Sequence, residues 1–253
     1  MSLAPFPDDD LAPLVDLLAG RRFVALTGAG CSTESGIPDY RGGGRTGPRN
    51  PIQHDAFMRG ADVRRRYWAR ATLGWARFSG AEPNAGHRAL AELERKANVH
   101  TLVTQNVDGL HQAAGSSPAI VIEIHGTVHE AKCLQCGWRG PMDDTLARVR
   151  AGEDDPACLD CGGMLKSATI SFGENLVPED LMRAQHAAQG ADVFLAVGTS
   201  LGVYPAAALP EQAYRAGASL AILNGEPTPF DDVADFVFRD RLGEVLPALV
   251  DRV

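Results

Sequence analysis

Phe23-Val24-Ala25-Leu26-Thr27-Gly28-Ala29-Gly30-Cys31-Ser32-Thr33-Glu34-Ser35-Gly36-Ile37-Pro38-Asp39-Tyr40-Arg41 joins a short apolar run to a glycine-bearing turn and a polar loop. Two glycines with one residue between them let the backbone turn sharply at the carboxyl end of a strand, so that N–H groups face an approaching anion. A pyrophosphate is the natural guest for such a cradle. The ordinary dinucleotide fingerprint needs a third glycine at position 33 and an acid about twenty residues further on. Position 33 is Thr33, and residues 45–52 hold no Asp or Glu, so a hydride-transfer dehydrogenase is disfavoured. The nearest acid is Asp39, behind Gly36-Ile37-Pro38, where Pro38 is expected to end any helix. A plain strand-turn-helix with small packing residues is the alternative.

Working outward, apolar β-rich runs recur at 23–26, 99–103, 120–124, 193–197 and 220–223. Helical spacing of apolar residues marks 85–97, 178–189, 206–216 and 242–250 between and after them. Strand–helix alternation predicts an α/β fold, a doubly wound parallel sheet of Rossmann type whose ligand lies at the strands' carboxyl ends. Polar or glycine punctuation follows four further strands: Thr104-Gln105-Asn106-Val107-Asp108, His125-Gly126, Gly198-Thr199-Ser200 and Asn224-Gly225-Glu226. Two insertions interrupt the pattern. Residues 42–80 contain one long helical reading, 55–78, and form a candidate lid; residues 129–166 hold four of the five cysteines. The division expected is a large domain of about 1–41, 81–128 and 167–253, a helical insertion of about 42–80 and a small module of about 129–166.

Composition limits the partners. With 24 basic against 32 acidic residues the formal charge is −8, which gives no long-range attraction to nucleic acid or an anionic membrane and favours basic protein segments. The acidic start lacks the basic patch and apolar stretch of a secretory signal, and no apolar run approaches the roughly 20 residues of a membrane span. A cytoplasmic location is expected, where cysteines are thiols or metal ligands. Oligomeric state is not encoded legibly.

Cys133-Leu134-Gln135-Cys136 and Cys158-Leu159-Asp160-Cys161 are two paired knuckles, each followed by a glycine. Such pairs converge four thiolates on a tetrahedral zinc. With every coordination place filled by sulfur, no activated water is held, so the metal is structural. His129 lies near, but nothing requires a fifth ligand. Cys31 stands apart, a reactive thiol at a helix start or a small buried packing residue.

Gly28-Ala29-Gly30 through Arg41, Thr104-Gln105-Asn106-Val107-Asp108-Gly109-Leu110-His111, His125-Gly126, the cysteine pairs, Phe172-Gly173-Glu174 and Gly198-Thr199-Ser200, in that order, resemble the sirtuins. These are NAD-dependent protein deacylases with a Rossmann-type domain and a small zinc module. Asn50-Pro51-Ile52-Gln53-His54 and Arg66-Tyr67-Trp68-Ala69-Arg70 look most like the class II branch. The resemblance implies that NAD is consumed: the acyl oxygen of a modified lysine attacks the ribose, nicotinamide leaves, and the acyl group ends on ADP-ribose. It implies acyl-lysine proteins or peptides as partners.

By the same resemblance His125 is the general base, a role that suits an imidazole titrating near neutrality. Gln105, Asn106, Val107 and Asp108 surround the nicotinamide and its ribose, with Asn106 and Asp108 part of the catalytic set. Asp108 on its own is also readable as a helix N-cap. Gly28, Ala29, Gly30, Ser32, Glu34, Pro38, Asp39, Tyr40 and Arg41 line the cofactor, as do Gly198, Thr199 and Ser200 at the phosphates and Asn224 and Glu226 near the adenosine. Leu242 packs the adenine or is a core leucine. Phe172, Gly173 and Glu174 flank the acyl-lysine channel. Tyr67 and Arg70, three apart on one helix face, match a Tyr-x-x-Arg pattern found where acidic acyl chains are preferred. The neighbouring Arg64, Arg65 and Arg66 are read as a carboxylate-attracting cluster or a solvated basic face, and Trp68 and Trp75 as packing residues. The segment Ser167-Ala168-Thr169-Ile170-Ser171 departs from the family's usual Pro-Asp and paired valines, which bears on channel shape. Protein ADP-ribosylation and a non-catalytic NAD sensor are the competing readings.

Overall fold

β1 (Phe23–Thr27), β2 (Val99–Thr104), β3 (Val121–Glu123), β7 (Val193–Val197), β8 (Ser219–Leu223) and β9 (Phe236–Phe238) form one parallel sheet in the order β3-β2-β1-β7-β8-β9. This computed structural model describes residues 8–39, 51–97 and 99–253. The strand order reverses beside β1, between β1 and β7. That is the topological switch point at which an open parallel sheet leaves a crevice for ligand. Five of the six strands coincide with the expected apolar runs; β9 was not expected.

Both faces of the sheet are covered, which is why β1 reads as an unbroken apolar run. Phe23 and Ala25 join a core with Leu11, Leu14 and Leu18 of α1 (Asp8–Leu18), Leu90 and Leu93 of α4 (Ala85–Lys96), and Leu246 and Leu249 of α9 (Leu242–Val250). Val24 and Leu26 point the other way, into a core with α7 (Pro178–Gln189) and α8 (Leu209–Arg215). The stretch read as one helix over 206–216 is a three-residue 3₁₀ turn, Ala206–Ala208, followed by α8.

The helical insertion is two helices, α2 (His54–Arg59) and α3 (Ala61–Ser79), rather than one over 55–78. Gly60 between them is extended at φ −128°, ψ 118°, which breaks the hydrogen-bond ladder. The cysteine module is an antiparallel sheet, β5-β4-β6, built from β4 (Gly126–Cys133), β5 (Arg139–Pro141) and β6 (Leu165–Thr169), with α6 (Met142–Arg150) packed on it. Trp68 and Trp75 of α3 are buried in a third core with Ala131, Met142, Leu146 and Leu165. They are packing residues, as expected. Arg64 is not on a solvated face: its guanidinium grips Asp155 with Nε 3.0 Å from each carboxylate oxygen. Arg65 pairs with Asp62 and Asp154.

Candidate functional site

The loops after β1 and β7 meet across the switch point with almost no space between them. Gly28 N–H donates to Val197 O at 3.0 Å and Gly30 N–H to Gly198 O at 2.8 Å. A Cβ on Gly28 would lie 2.7 Å from Thr199 Cβ, and one on Gly30 would lie 2.8 Å from Gly198 O. The glycines are therefore required for close approach of the two loops. This corrects the expectation that their N–H groups stand free for an anion. The helix that follows is a 3₁₀ turn, Ala29–Ser35, and it ends at Gly36 in the left-handed region (φ 82°), two residues before Pro38.

Ser32, buried inside that turn, organises the polar floor. Its hydroxyl donates to Asp108 Oδ2 at 2.7 Å and accepts from Asn106 Nδ2 at 3.0 Å. Asn84 N–H donates to His87 Nδ1, so His87 carries its proton on Nε2, which faces Ser32 Oγ at 3.4 Å. All three hydrogen-bonding places of the Ser32 hydroxyl are thus used. The second amide hydrogen of Asn106 goes to Gly28 O at 3.0 Å, which leaves Oδ1, an acceptor, for the crevice. Asp108 also takes the N–H of Leu110 on Oδ1, closing a turn just ahead of the short helix Leu110–Ala113; the cap position itself is Gly109, which corrects the reading of Asp108 as the N-cap. Beneath this layer, Thr27 Oγ1 donates to Thr104 Oγ1 and accepts from His111 Nε2 at 2.9 Å.

His125 lies between β3 and β4, half-buried, with Nδ1 3.0 Å from Gln105 O. A carbonyl only accepts, so Nδ1 bears the proton and Nε2 keeps a basic lone pair. Burial lowers the imidazole's pKa below its ordinary 6.5, opposed by the bond to Gln105, so the ring is neutral at pH 7. Gln105 in turn donates from Nε2 to Thr199 Oγ1 at 2.9 Å, tying the β2 loop to the β7 loop.

Residues 28–205 match the Sir2 family. An NAD-dependent protein deacetylase of Streptomyces coelicolor is 50% identical over 239 residues, covering 92% of this chain and 98% of its own. An NAD-dependent protein deacylase of Arabidopsis thaliana is 37% identical over 91% of this chain and 73% of its own. A solved Sir2 complex with a p53 peptide and NAD⁺ superposes with a TM-score of 0.87 at 36% identity, over 95% of this chain and 97% of that one. Sir2Tm bound to a propionylated peptide gives 0.86 at 35% identity, over the same shares.

The chain belongs to the Sir2 family. In this sirtuin the remaining expected residues fall into three places. Asn224, Glu226 and Leu242 lie at the far rim: Asn224 Nδ2 donates to Glu226 O, and a Cβ on Gly198 would lie 2.9 Å from Leu242 Cδ1. Leu242 is partly buried against the first core. Glu34 turns towards the start of α9, 3.6 Å from Arg241 Nε. Pro38 and Asp39 are half-buried along the loop after β1, and Ser200 is half-buried in the loop after β7. Tyr40 and Arg41 lie outside the described residues. Cys31 is buried in the first core, and burial first, then the nearby Asp108 and Glu34 carboxylates, push its thiol far above the ordinary range. It is a packing residue and not a nucleophile.

On the other side, Tyr67 reaches from α3 to β6. Its hydroxyl is hydrogen-bonded to Ser167 Oγ and accepts from Ser167 N–H, and Ser167 Oγ is 2.7 Å from Thr169 Oγ1. The departure from the family pattern in β6 is thus a hydroxyl cluster that engages Tyr67. Phe172 is half exposed beside α2, and Phe172 O accepts from His54 N–H at 3.0 Å.

The four knuckle cysteines converge: Cys133 Sγ lies 3.5 Å from Cys161 Sγ, and Cys136 Sγ 3.7 Å from Cys158 Sγ. A tetrahedron with Zn–S near 2.3 Å has edges of about 3.8 Å, so this set fits a structural zinc. His129 is not a ligand. Its Nε2 donates to Asp108 O at 2.7 Å and its ring meets Trp75 edge-on, so it joins the zinc module to the site floor. Sequence reasoning missed Asn84 and His87, and assigned no role to Thr27 and His111 within the stretches it singled out. Their signal was polarity in the wrong place: Thr27 ends a fully buried strand, and His87 occupies the buried stripe of an amphipathic helix.

Proposed function

We propose that this sirtuin is an NAD-dependent protein lysine deacylase in which His125 is the general base, Asn106 and Asp108 orient the reacting ribose, and the loops at Gly28–Gly30 and Gly198–Ser200 hold the dinucleotide. NAD is consumed as co-substrate: the acyl oxygen bonds to the anomeric carbon as nicotinamide leaves, a ribose hydroxyl then attacks the acyl carbon, and one water completes the release of free lysine and O-acyl-ADP-ribose. The observation carrying the reading is the fixed tautomer of His125, whose Nδ1–H is spent on Gln105 O. Nε2 is then positioned and neutral, ready to receive a hydroxyl proton at pH 7. Asn106 presents an acceptor to ribose hydroxyls because both its amide hydrogens are already committed.

The substrate edge is assigned to Phe172 and Gly173, consistent with related Sir2 structures that hold acetylated or propionylated peptides. An acidic acyl preference draws its charge from Arg70, because the Tyr67 hydroxyl is engaged by Ser167. The enzyme is proposed to work in the cytoplasm with its knuckle thiols on zinc. Among the described residues, no helix is long and apolar enough to cross a membrane.

The test is His125→Ala assayed with NAD and acetyl- or succinyl-lysine peptides, with products followed by mass spectrometry. Turnover should fall by about 10²- to 10⁴-fold while NAD still binds. Unchanged turnover removes His125 from the base role. Mass gained by a protein acceptor, with no free lysine formed, makes the enzyme an ADP-ribosyltransferase. The ratio of the two peptides decides the acyl class.

A further inference from the structure

Lys166 is completely buried, an unusual place for an ammonium group, and the reaction above does not use it. Its Nζ lies 3.0 Å from Glu174 Oε2 and donates to Thr169 O at 2.5 Å. Lys132 Nζ approaches the other oxygen, Glu174 Oε1, at 2.9 Å. His54 Nδ1 stands 3.6 Å from Oε2. The same carboxylate accepts from Ser171 N–H at 3.0 Å, while Glu174 N–H donates back to Ser171 O at 2.9 Å. Backbone and side chain of one residue therefore close the turn 171–174, with Phe172 and Gly173 (φ 84°) at its tip.

This turn is tied to the reaction centre within a few residues. Thr169, whose carbonyl Lys166 holds, pairs with Gly126, and Ile170 N–H donates to His125 O at 2.8 Å. Lys132 is the residue before the zinc ligand Cys133 on β4. Burying the Lys166 ammonium fully, and Lys132 and Glu174 in part, costs desolvation that simple packing would avoid, so the arrangement is better understood as fixing geometry than as adding stability.

We infer that Glu174 is a positioning residue: clamped by Lys132 of β4 and Lys166 of β6, it holds the Phe172–Gly173 backbone in register with His125 as the edge on which the acyl-lysine peptide is seated. This deepens the deacylase reading and rests on it. Glu174 acts through the turn, and its carboxylate does not face the substrate.

The experiment separates the two substrates. Glu174→Gln and Lys132→Met are compared with wild type for zinc content, for KM of NAD and of an acetyl-lysine peptide, and for binding of a fluorescent acetyl-lysine peptide by anisotropy. The KM and Kd for peptide should rise about tenfold in both variants, the equivalent of one lost charge-assisted hydrogen bond, with the KM for NAD within about twofold of wild type. Lys132→Arg, which keeps the charge on Glu174, should restore peptide affinity to within about threefold of wild type. Unchanged peptide affinity, or an equal rise in both KM values, overturns the proposal. If Glu174→Gln does not fold, Lys132→Met carries the same split, since that side chain is 20% exposed. A wild type that deacylates nothing defeats the deacylase reading, whereas normal wild-type turnover with no split in the variants defeats only the clamp.

Discussion

His87 and His111 are both buried, their rings 5.0 Å apart, and each is held as a neutral tautomer by a neighbour that fixes where the proton sits. His111 donates from Nε2 to Thr27, which leaves its buried Nδ1 with no acceptor for a second proton. Burial lowers His87 from 6.5 to about 4, against the pull of Asp108, and lowers His111 to about 3, helped by His87. The sign follows directly. Above pH 6.5 neither folded nor unfolded chain is protonated at these groups and the pair has no effect. As pH falls below 6.5 the unfolded chain gains protons that the folded one refuses, so stability is lost down to about pH 4 for His87 and about pH 3 for His111. His125, lowered by burial, acts in the same direction. Glu174, held at about 2 against burial by Lys166, Ser171 and Lys132, adds acid sensitivity only below its ordinary 4.5. Urea midpoints measured from pH 8 to pH 5 should be flat above about 7 and then fall, with a shallower fall in His111→Gln. Each buried neutral histidine contributes at most about 1.4 kcal/mol per pH unit. A flat profile to pH 5 would show that these rings accept protons in place.

At the level of elements, the join between β4 and β6 matters most, because β4 starts one residue after His125. Gly126 has φ 74°, and a Cβ there would lie 2.0 Å from Ala168 O. Gly20, in the turn between α1 and β1, has φ 69° but nothing within 4 Å of such a Cβ. Gly20→Ala should cost about 1 kcal/mol, the left-handed strain alone. Gly126→Ala should cost clearly more and abolish deacylation, because backbone must move beside His125. Urea unfolding and turnover of the two variants measure the difference, and equal costs would mean that β6 yields easily. The strands of the large sheet were legible because burial on both faces writes them as unbroken apolar runs. β4 was not, since Thr127, Val128 and His129 are only partly buried or exposed and show no apolar alternation, and β6 was not, since its buried stretch carries Lys166 and Ser167 among apolar residues. α1 went unread although Leu11, Leu14 and Leu18 follow helical spacing, because its charged start and Pro13 mask the pattern. The polar rim was legible from strand-end punctuation. The contact of Ser32 with His87 was not, because the two are 55 residues apart in the chain, nor was the bond from Asn84 to Cys31 O, 53 residues away.

For the whole molecule, the three cores divide the stabilising work. Two lie on the faces of the parallel sheet, and neither contains a residue of α3, β4, β5, β6 or α6. The third is made of α3, β4, β6 and α6, and includes Cys133 and Cys158 themselves. The four-thiolate site therefore sits at the edge of the smallest core, with Cys133 and Cys158 buried and Cys136 and Cys161 exposed, and a structural zinc held there supplies on the order of 10 kcal/mol of folding free energy. Stripping the metal should release β4, β5, β6, α6 and α3 while the six-stranded sheet persists. Links that cross the boundary would go with them: His129 to Asp108, Val128 to Val107, and both lysines to Glu174. Hydrogen exchange after chelation, or in Cys158→Ser, should show fast amides across 126–169 and 61–79 and continued protection in β1, β2, β7 and β8, with peptide turnover lost. Exchange of all these segments together would mean that the boundary contacts weld the three cores into one cooperative unit, and that the metal holds the nucleotide crevice as well as the module around it.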